Sequence, residues 1–292
     1  MDVTADRLLR AQIMQRLDVV VADHGYLTRP QLRALAVGGQ TYRLIDESKG
    51  IWNPRSMNAT LSVVSSPEGP YDDRELDGAL FRYSYRAGSD AGDNTKLRRA
   101  MELELPIILL RKLEVGSYVP IYPVQVIDDD RERREFVLAL DSLVAELGSS
   151  TSIVERSYVE RLVKQRLHQA EFRGRVLRAY ETQCAVCNLK LGRLLEAAHI
   201  TADADATGDP VVTNGLSLCK IHHAAYDAGL LGVSPDYTVG INEELLVAVD
   251  GPMLLHGLQE MHGRSLTVPY RRTEQPDRER LAVRWDAFRL GV

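Results

Sequence analysis

Cys184, Cys187, Cys219 and His222 constrain this 292-residue chain more tightly than anything else in it, because a CxxC followed by a CxxH supplies the Cys₃His ligand set of a closed structural zinc site. These are the only cysteines in the chain, an odd number with two of them three positions apart. Metal-bound thiolates are therefore expected, and a disulfide framework is not. Between and beside the four ligands stand His199, Asn214, His223 and Asp227, none of which zinc needs. That surplus is where chemistry is expected.

Local patterns place these residues. LLEAAHI at 194–200 is a short apolar run with strand character, followed by the polar loop 201–209 and a second short strand at Val211 and Val212. The hairpin so formed presents His199 near its tip. From about Cys219 the pattern predicts a helix through Ala228, stopped at Gly229. On it His223 and Asp227 are four apart, share a face and can grip one cation, while His222, rotated by roughly 100°, turns back to the zinc.

CAVC at 184–187, EAAHI at 196–200, TNGLSLC at 213–219 and HHAAYD at 222–227 together resemble the HNH, or ββα-metal, nucleases. The resemblance implies that His199, Asn214 and His223 are the catalytic trio. Phosphodiester hydrolysis needs an activated water and a cation that neutralises charge on the leaving oxygen. His199 is then the general base, as the side chain best matched to proton transfer near neutral pH. His223 and Asp227 hold Mg²⁺, Mn²⁺, or alternatively Co²⁺ or Ni²⁺, and Asn214 pins the hairpin. Many such enzymes place a third metal ligand immediately before the base; here that position is Ala198, with Glu196 as a candidate helper.

Apolar residues make up 45% of the chain, enough at this length for two ordinary cores, and the zinc-braced module occupies only the second. The expected division is 1–148, a basic helical linker 149–180, and 181–292, with GSSTS at 148–152 as the joint. No apolar run approaches the roughly 18 residues of a membrane span, and MDVTADRLLRAQ has no signal-peptide shape, so a cytoplasmic protein is expected. Net charge is −5, which argues against indiscriminate coating of nucleic acid. Arg156, Arg161, Lys164, Arg166, Arg173, Arg175 and Arg178 nevertheless cluster against Glu160 and Glu171 on one or two amphipathic helices, either a solvated face or a phosphate-tracking one.

The first part opens with a helical stretch whose expected buried face is Leu8, Leu9, Ile13, Leu17, Val20 and Val21, and a second helix opening at Thr28 and Gln31. Strand-like runs follow at 61–65, 79–85, 107–111, 118–127 and 136–139, with a helix over 94–103. An α+β domain on a curved sheet or partly open barrel is expected. YDDRELDGALFRYSY at 71–85, DNTKLRRA at 93–100 and YPVQVI at 122–127 resemble the SRA fold of the PUA-like superfamily, which turns modified cytosine out of duplex DNA into a pocket. Such a pocket needs flat partners, an acceptor for the exocyclic amine and a recess for the added methyl. Tyr71 and Tyr83 are candidates for the stack, Asp73 or Asp77 for the acceptor, Ser84 for the recess wall, and the loop Gly88–Gly92 for a groove probe; Trp52 and Asn53 belong to the core.

The tail shows an apolar strand pair around LLVAV at 245–249 and a helix opening at Pro276 and Asp277, with Leu281, Trp285 and Phe288 on one side. It is assigned packing and no chemistry. The resemblances together imply a modification-dependent restriction endonuclease that reads modified cytosine, 5-methylcytosine first, and cuts DNA as a homodimer. Two rival readings are a modification-blind HNH nickase and a noncatalytic modified-DNA binder.

Overall fold

In IILL at 107–110 every residue is apolar, and a strand of that kind must be covered on both faces. The computed structural model describes residues 1–66, 73–76, 80–86, 92–141, 153–203, 205 and 207–291. They form α1 (Val3–His24), β1 (Leu27–Thr28), α2 (Arg29–Arg33), β2 (Leu35–Val37), β3 (Gln40–Tyr42), β4 (Ile51–Trp52), β5 (Ser62–Ser65), β6 (Arg74–Leu76), β7 (Leu80–Ser84), α3 (Asp93–Glu102), β8 (Ile107–Glu114), β9 (Ser117–Asp130) and β10 (Glu135–Ala139). After these come α4 (Ile153–Ala179), β11 (Leu195–His199), β12 (Gly215–Cys219), α5 (Lys220–Asp227), β13 (Leu231–Val233), β14 (Val239–Ile241), α6 (Glu243–Val247), α7 (Pro252–Gly257) and α8 (Arg278–Leu290).

The chain divides into two units, Met1–Val21 with Tyr26–His168, and Ala22–Gly25 with Gln169–Val292. The division falls inside the segment 149–180, most of which is the single helix α4. The expected joint at 148–152 and the residues Tyr71, Asp77 and Gly88–Ala91 lie outside the described residues.

In the first unit an eight-stranded mixed sheet runs in the order β4–β5–β8–β9–β10–β7–β6, with β1 paired to β9 and the β5–β8 pair parallel. β8 sits inside it, and its side chains alternate between two cores. Ile107 and Leu109 pack with Phe81, Leu97 and Phe136. Ile108 and Leu110 pack with Ile13, Leu17, Leu32 and Leu44. Register shifts at Lys112/Glu114 and Val137/Leu138 interrupt the ladders that β9 makes on either side, bending the sheet. The second helix opens where the sequence indicates, with Thr28 and Gln31 in a capping box.

The buried side of α1 differs from the expected one. Leu8 is 62% exposed, and Asp6 and Arg10 are fully buried instead. Arg10 Nε meets Asp6 Oδ1 at 2.7 Å while its terminal nitrogens donate to the carbonyls of Thr60, Pro106 and Ala59, and Asp6 Oδ2 accepts from the Asn58 amide. Every charge is paired, so removing one partner strands the other. Arg10→Met is expected to cost about 3–5 kcal/mol, read as a lowered midpoint in urea denaturation.

In the second unit β11 and β12 form the predicted hairpin in the register Leu195↔Cys219 to His199↔Gly215, which places His199 at its loop end. The second strand lies later than expected: Val212 belongs to a 3₁₀ turn through Asn214, and β12 starts at Gly215. LLVAV is also not a strand pair, since Leu245–Val247 close the short helix α6 while β13 and β14 pair upstream of it. Short apolar runs do not distinguish the two states by pattern alone. The core gathers Phe172, Val176, Leu195, Leu216, Leu218, Tyr226, Leu231, Ile241 and Leu281.

Candidate active site

Two clusters of chemistry-bearing side chains use the hairpin and α5, the first of them together with the CxxC turn that precedes the hairpin. In the first, the sulfurs of Cys184, Cys187 and Cys219 and a ring nitrogen of His222 all lie within 4.8 Å of one another. Cys184 Sγ and Cys219 Sγ are 3.4 and 3.2 Å from His222 Nδ1. Zinc bonds of about 2.3 Å to sulfur and 2.0 Å to nitrogen give tetrahedral edges near 3.5 Å, so this donor set fits that ion. His222 Nε2 is 2.7 Å from the carbonyl of Gly257, a bond that turns Nδ1 toward the thiols.

The four groups share protons strongly. Contacts with Cys184 and Cys187, then with His222, pull the Cys219 thiol down, while the contacts of Cys187 with Cys184 and Cys219 push that thiol up. Burial by itself would depress His222, but hydrogen bonds and charge from Cys184 and Cys219 outweigh it and lift the imidazole to about 10. Three thiols and an imidazole gathered this closely are the donor set of a divalent cation, which binds their thiolate and neutral forms.

The second cluster lines a cleft of about 410 Å³ that includes His199, His223, Asp227, Glu196, Phe172 and Arg284. The half-buried ring of His199 stacks on Phe172 of α4, with centroids 4.0 Å apart and planes at 15°. That approach requires glycine opposite His199, because a Cβ on Gly215 would fall 2.4 Å from Val176 Cγ2 and 3.0 Å from Phe172 Cζ. His199 Nε2 is covered and makes no hydrogen bond among the described residues, an uncommon state for a buried polar atom and one compatible with catalytic use. Burial, then the nearby His223, lowers the affinity of this imidazole for a proton below the ordinary value, with Asp203 and Asp227 opposing. The shift favours the neutral imidazole, the form that can accept a proton.

Asn214 is fully buried and does not touch the cleft. Its Oδ1 accepts from the Thr201 amide at 2.8 Å, and its Nδ2 donates to the carbonyls of Thr201 and Asp209 at 3.0 and 3.1 Å. It ties the two ends of the hairpin loop together just beyond His199. On α5, His223 lies between two carboxylates, with Nδ1 2.7 Å from Glu196 Oε2 and Nε2 3.2 Å from Asp227 Oδ2. With Nδ1 facing Glu196, the Nε2 edge of the ring faces the Asp227 carboxylate. Adjacent ligands of a Mg²⁺-sized ion, each about 2.1 Å from it, are near 3.0 Å apart, so His223 and Asp227 fit a divalent cation. Glu196 lies at the opposite ring nitrogen, placed to orient His223.

The base-pocket candidates stand otherwise than expected. Tyr83 is fully buried, its hydroxyl donating to the Gly50 carbonyl and its ring covered by the Arg86 guanidinium at 3.8 Å, which leaves no face for a base. Both oxygens of Asp73 are engaged by Arg86, at 3.2 and 2.8 Å, and one also accepts from the Ser84 amide. Arg86 is the residue that organises this corner. Trp52 is tied to the core through its indole, which donates to the Arg43 carbonyl.

The basic stretch is largely spent on internal contacts. Arg173 donates to the carbonyls of Gly192 and Leu195, Arg175 pairs with Glu171 and Arg178 with Glu274, while Arg166 lies 3.8 Å from Asp141. Arg161 is exposed, and the side chains of Arg156 and Lys164 lie outside the described set.

Residues 184–234 match the family model for HNH endonuclease. The second unit therefore carries an HNH endonuclease domain. No curated protein matches the chain. Among solved structures, the chain is similar to a modification dependent TagI restriction endonuclease, at 17% identity over 89% of this chain and 90% of that one, with a TM-score of 0.32. It is also similar to the SUVH5 SRA domain in complex with hemi-methylated CG DNA, at 19% identity over 32% of this chain and 73% of that one, with a TM-score of 0.26. A type IV phosphorothioation-dependent restriction endonuclease, ScoMcrA, is similar at 15% identity over 62% of this chain and 48% of that one, with a TM-score of 0.23. No helix among the described residues is long and apolar enough to cross a membrane.

Proposed function

We propose that this chain is a modification-dependent restriction endonuclease whose second unit hydrolyses DNA phosphodiester bonds in the cleft of His199, His223 and Asp227. The observation that carries the reading is the juxtaposition of a half-buried imidazole with a His–Asp pair of cation-binding geometry inside the span matched to HNH endonucleases. His199 takes the proton of the attacking water. Phe172 fixes its ring plane and Asn214 fixes the backbone that follows it. A divalent cation bound by His223 and Asp227, Mg²⁺ or Mn²⁺ first, supplies neutralisation of charge on the phosphate and leaving oxygen. Zinc at Cys184, Cys187, Cys219 and His222 braces the scaffold, and thiols committed to a metal suit a cytoplasmic setting.

The pH dependence follows from the lowered proton affinity of His199. Its neutral form is the active one, so cutting holds above the folded-state value and falls as pH drops through it. The acid limb of the single-turnover rate is expected below the ordinary histidine value of about 6.5. A bound cation nearby moves it further in the same direction. A limb above that value contradicts the assignment.

For the first unit we propose a reader of modified cytosine, 5-methylcytosine first, reached by base flipping. The support is the sequence resemblance over 71–127. The internal engagement of Tyr83 and Asp73 favours a second reading, a modification-blind nickase sharing the same cleft. Digestion of one plasmid in methylated and unmethylated forms separates them. Preferential cutting of the methylated form is expected, and equal cutting of both removes the reader. One cleft per chain cuts one strand, so a homodimer is proposed for double-strand cleavage.

A further inference from the structure

We propose that Arg284, on α8 and outside the residues matched to HNH endonucleases, is the positioning residue that locks the cation-binding carboxylate to the strand carrying the base. The proposal rests on the roles assigned to His199, His223 and Asp227 above.

α8 is held firmly where it lies. Asp277 caps it by accepting from the amides of Glu279 and Arg280, Leu281 is fully buried, and Trp285 stacks on Phe288 with centroids 5.1 Å apart. These two rings lie against β13 and β14, where a Cβ on Gly232 would come within 2.5 Å of Phe288 and one on Gly240 within 2.6 Å of Trp285. Arg284, one turn before Phe288 and one turn after Leu281, leaves the edge of that packed face and lines the cleft.

There one guanidinium spans the ends of two elements. Nη1 lies 3.4 and 3.2 Å from the carbonyls of His199 and Ile200, at the end of β11. Nη2 lies 3.1 Å from the carbonyl of Tyr226 and 3.4 Å from Asp227 Oδ1, at the end of α5. The group also stacks over the Tyr226 ring at 3.9 Å. The last carbonyls of a helix lack intrahelical partners and favour a cation, so this is a natural seat for arginine.

Asp227 is divided between two partners, with Oδ1 toward Arg284 and Oδ2 toward His223 Nε2. Arg284 thereby sets the plane of the carboxylate, and the same group holds the backbone of the base. Only a planar fork reaches all of these acceptors at once; an ammonium is a point charge and does not.

The test uses full-length, zinc-loaded protein with Arg284→Lys and Arg284→Met. Mn²⁺ affinity is titrated by electron paramagnetic resonance without DNA, beside melting curves and single-turnover nicking at saturating DNA. Both variants are expected to bind Mn²⁺ about 10–100-fold more weakly and to cut more slowly at saturation, with the KM for DNA unchanged. Both replacements keep an unbranched stem over Tyr226, and lysine also keeps the positive charge beside Asp227, so the lysine variant guards the test against misfolding of the methionine one. Unchanged Mn²⁺ affinity overturns the proposal. If the KM for DNA then rises and its salt dependence becomes shallower, Arg284 is a phosphate contact; if only the melting temperature falls, it is packing. Failure of the underlying reading has a separate sign, His199→Ala cutting like the wild type, and the Mn²⁺ comparison still decides the role of Arg284.

Discussion

Stripping zinc with a strong chelator is expected to unfold the second unit while leaving the first one folded. The four ligands tie the CxxC turn to the end of β12 and the start of α5, and His222 extends that tie to the Gly257 carbonyl. Structural zinc contributes roughly 10–16 kcal/mol in small zinc folds, as much as the roughly 5–15 kcal/mol that separates a typical folded domain from its unfolded state. Cys184→Ser is expected to act in the same way, because a hydroxyl does not replace a thiolate on zinc. The two tryptophans report separately, Trp52 from the first unit and Trp285 from the second. Loss of the native Trp285 signal on chelation in a Trp52→Phe background, with the Trp52 signal retained in a Trp285→Phe background, is the expected result. A second unit that melts at the same temperature with and without the metal would show the cluster to be dispensable.

Replacing His199 with alanine is expected to slow cleavage by about 10²–10⁴-fold, a rise of roughly 3–5 kcal/mol in the barrier, without weakening DNA binding. The loss is expected at every pH above the acid limb, because no other imidazole occupies the same place. His223 is committed to Glu196 and Asp227, and His222 to the thiols and Gly257. Losing the ring leaves a gap beside Phe172, but that residue stays in the core with Val176 and Leu216. Circular dichroism and a gel shift matching the wild type, with cutting gone, is the combination that marks a catalytic role. Glutamine at position 199 preserves volume and polarity but does not accept the proton, and is expected to be equally slow.

Ligand spacing carried most of the second unit. CxxC, CxxH and the four-residue step from His223 to Asp227 are local facts about a turn and a helix, so they survive into the structure as Cys₃His geometry and a shared helix face. The stop of α5 near Gly229 is legible for the same reason, since Gly229 takes a left-handed φ of 66°. Phe172 and above all Arg284 were not legible as parts of the cleft, and Glu196, a candidate helper at the ion, meets the far side of the His223 ring. Arg284 lies far along the chain from His199 and Asp227, and no periodicity says which distant helix closes on a hairpin. In α1, polarity misdirected the reading: Leu8 points to solvent, while the Asp6–Arg10 pair is buried because the carbonyls of Ala59, Thr60 and Pro106 wait for it. Tyr83 shows the converse error. A tyrosine on a strand suits a base clamp by composition, but Tyr83 is fully buried, with Arg86, near in sequence and bound to Asp73, lying over its ring.

The most direct measurement is single-turnover nicking of a supercoiled, cytosine-methylated plasmid by purified wild-type and His199→Ala protein, each with and without Mg²⁺ or Mn²⁺. The wild type is predicted to cut only with the divalent ion, and the variant to bind the plasmid yet leave it intact. Equal cutting by the two proteins would contradict the account.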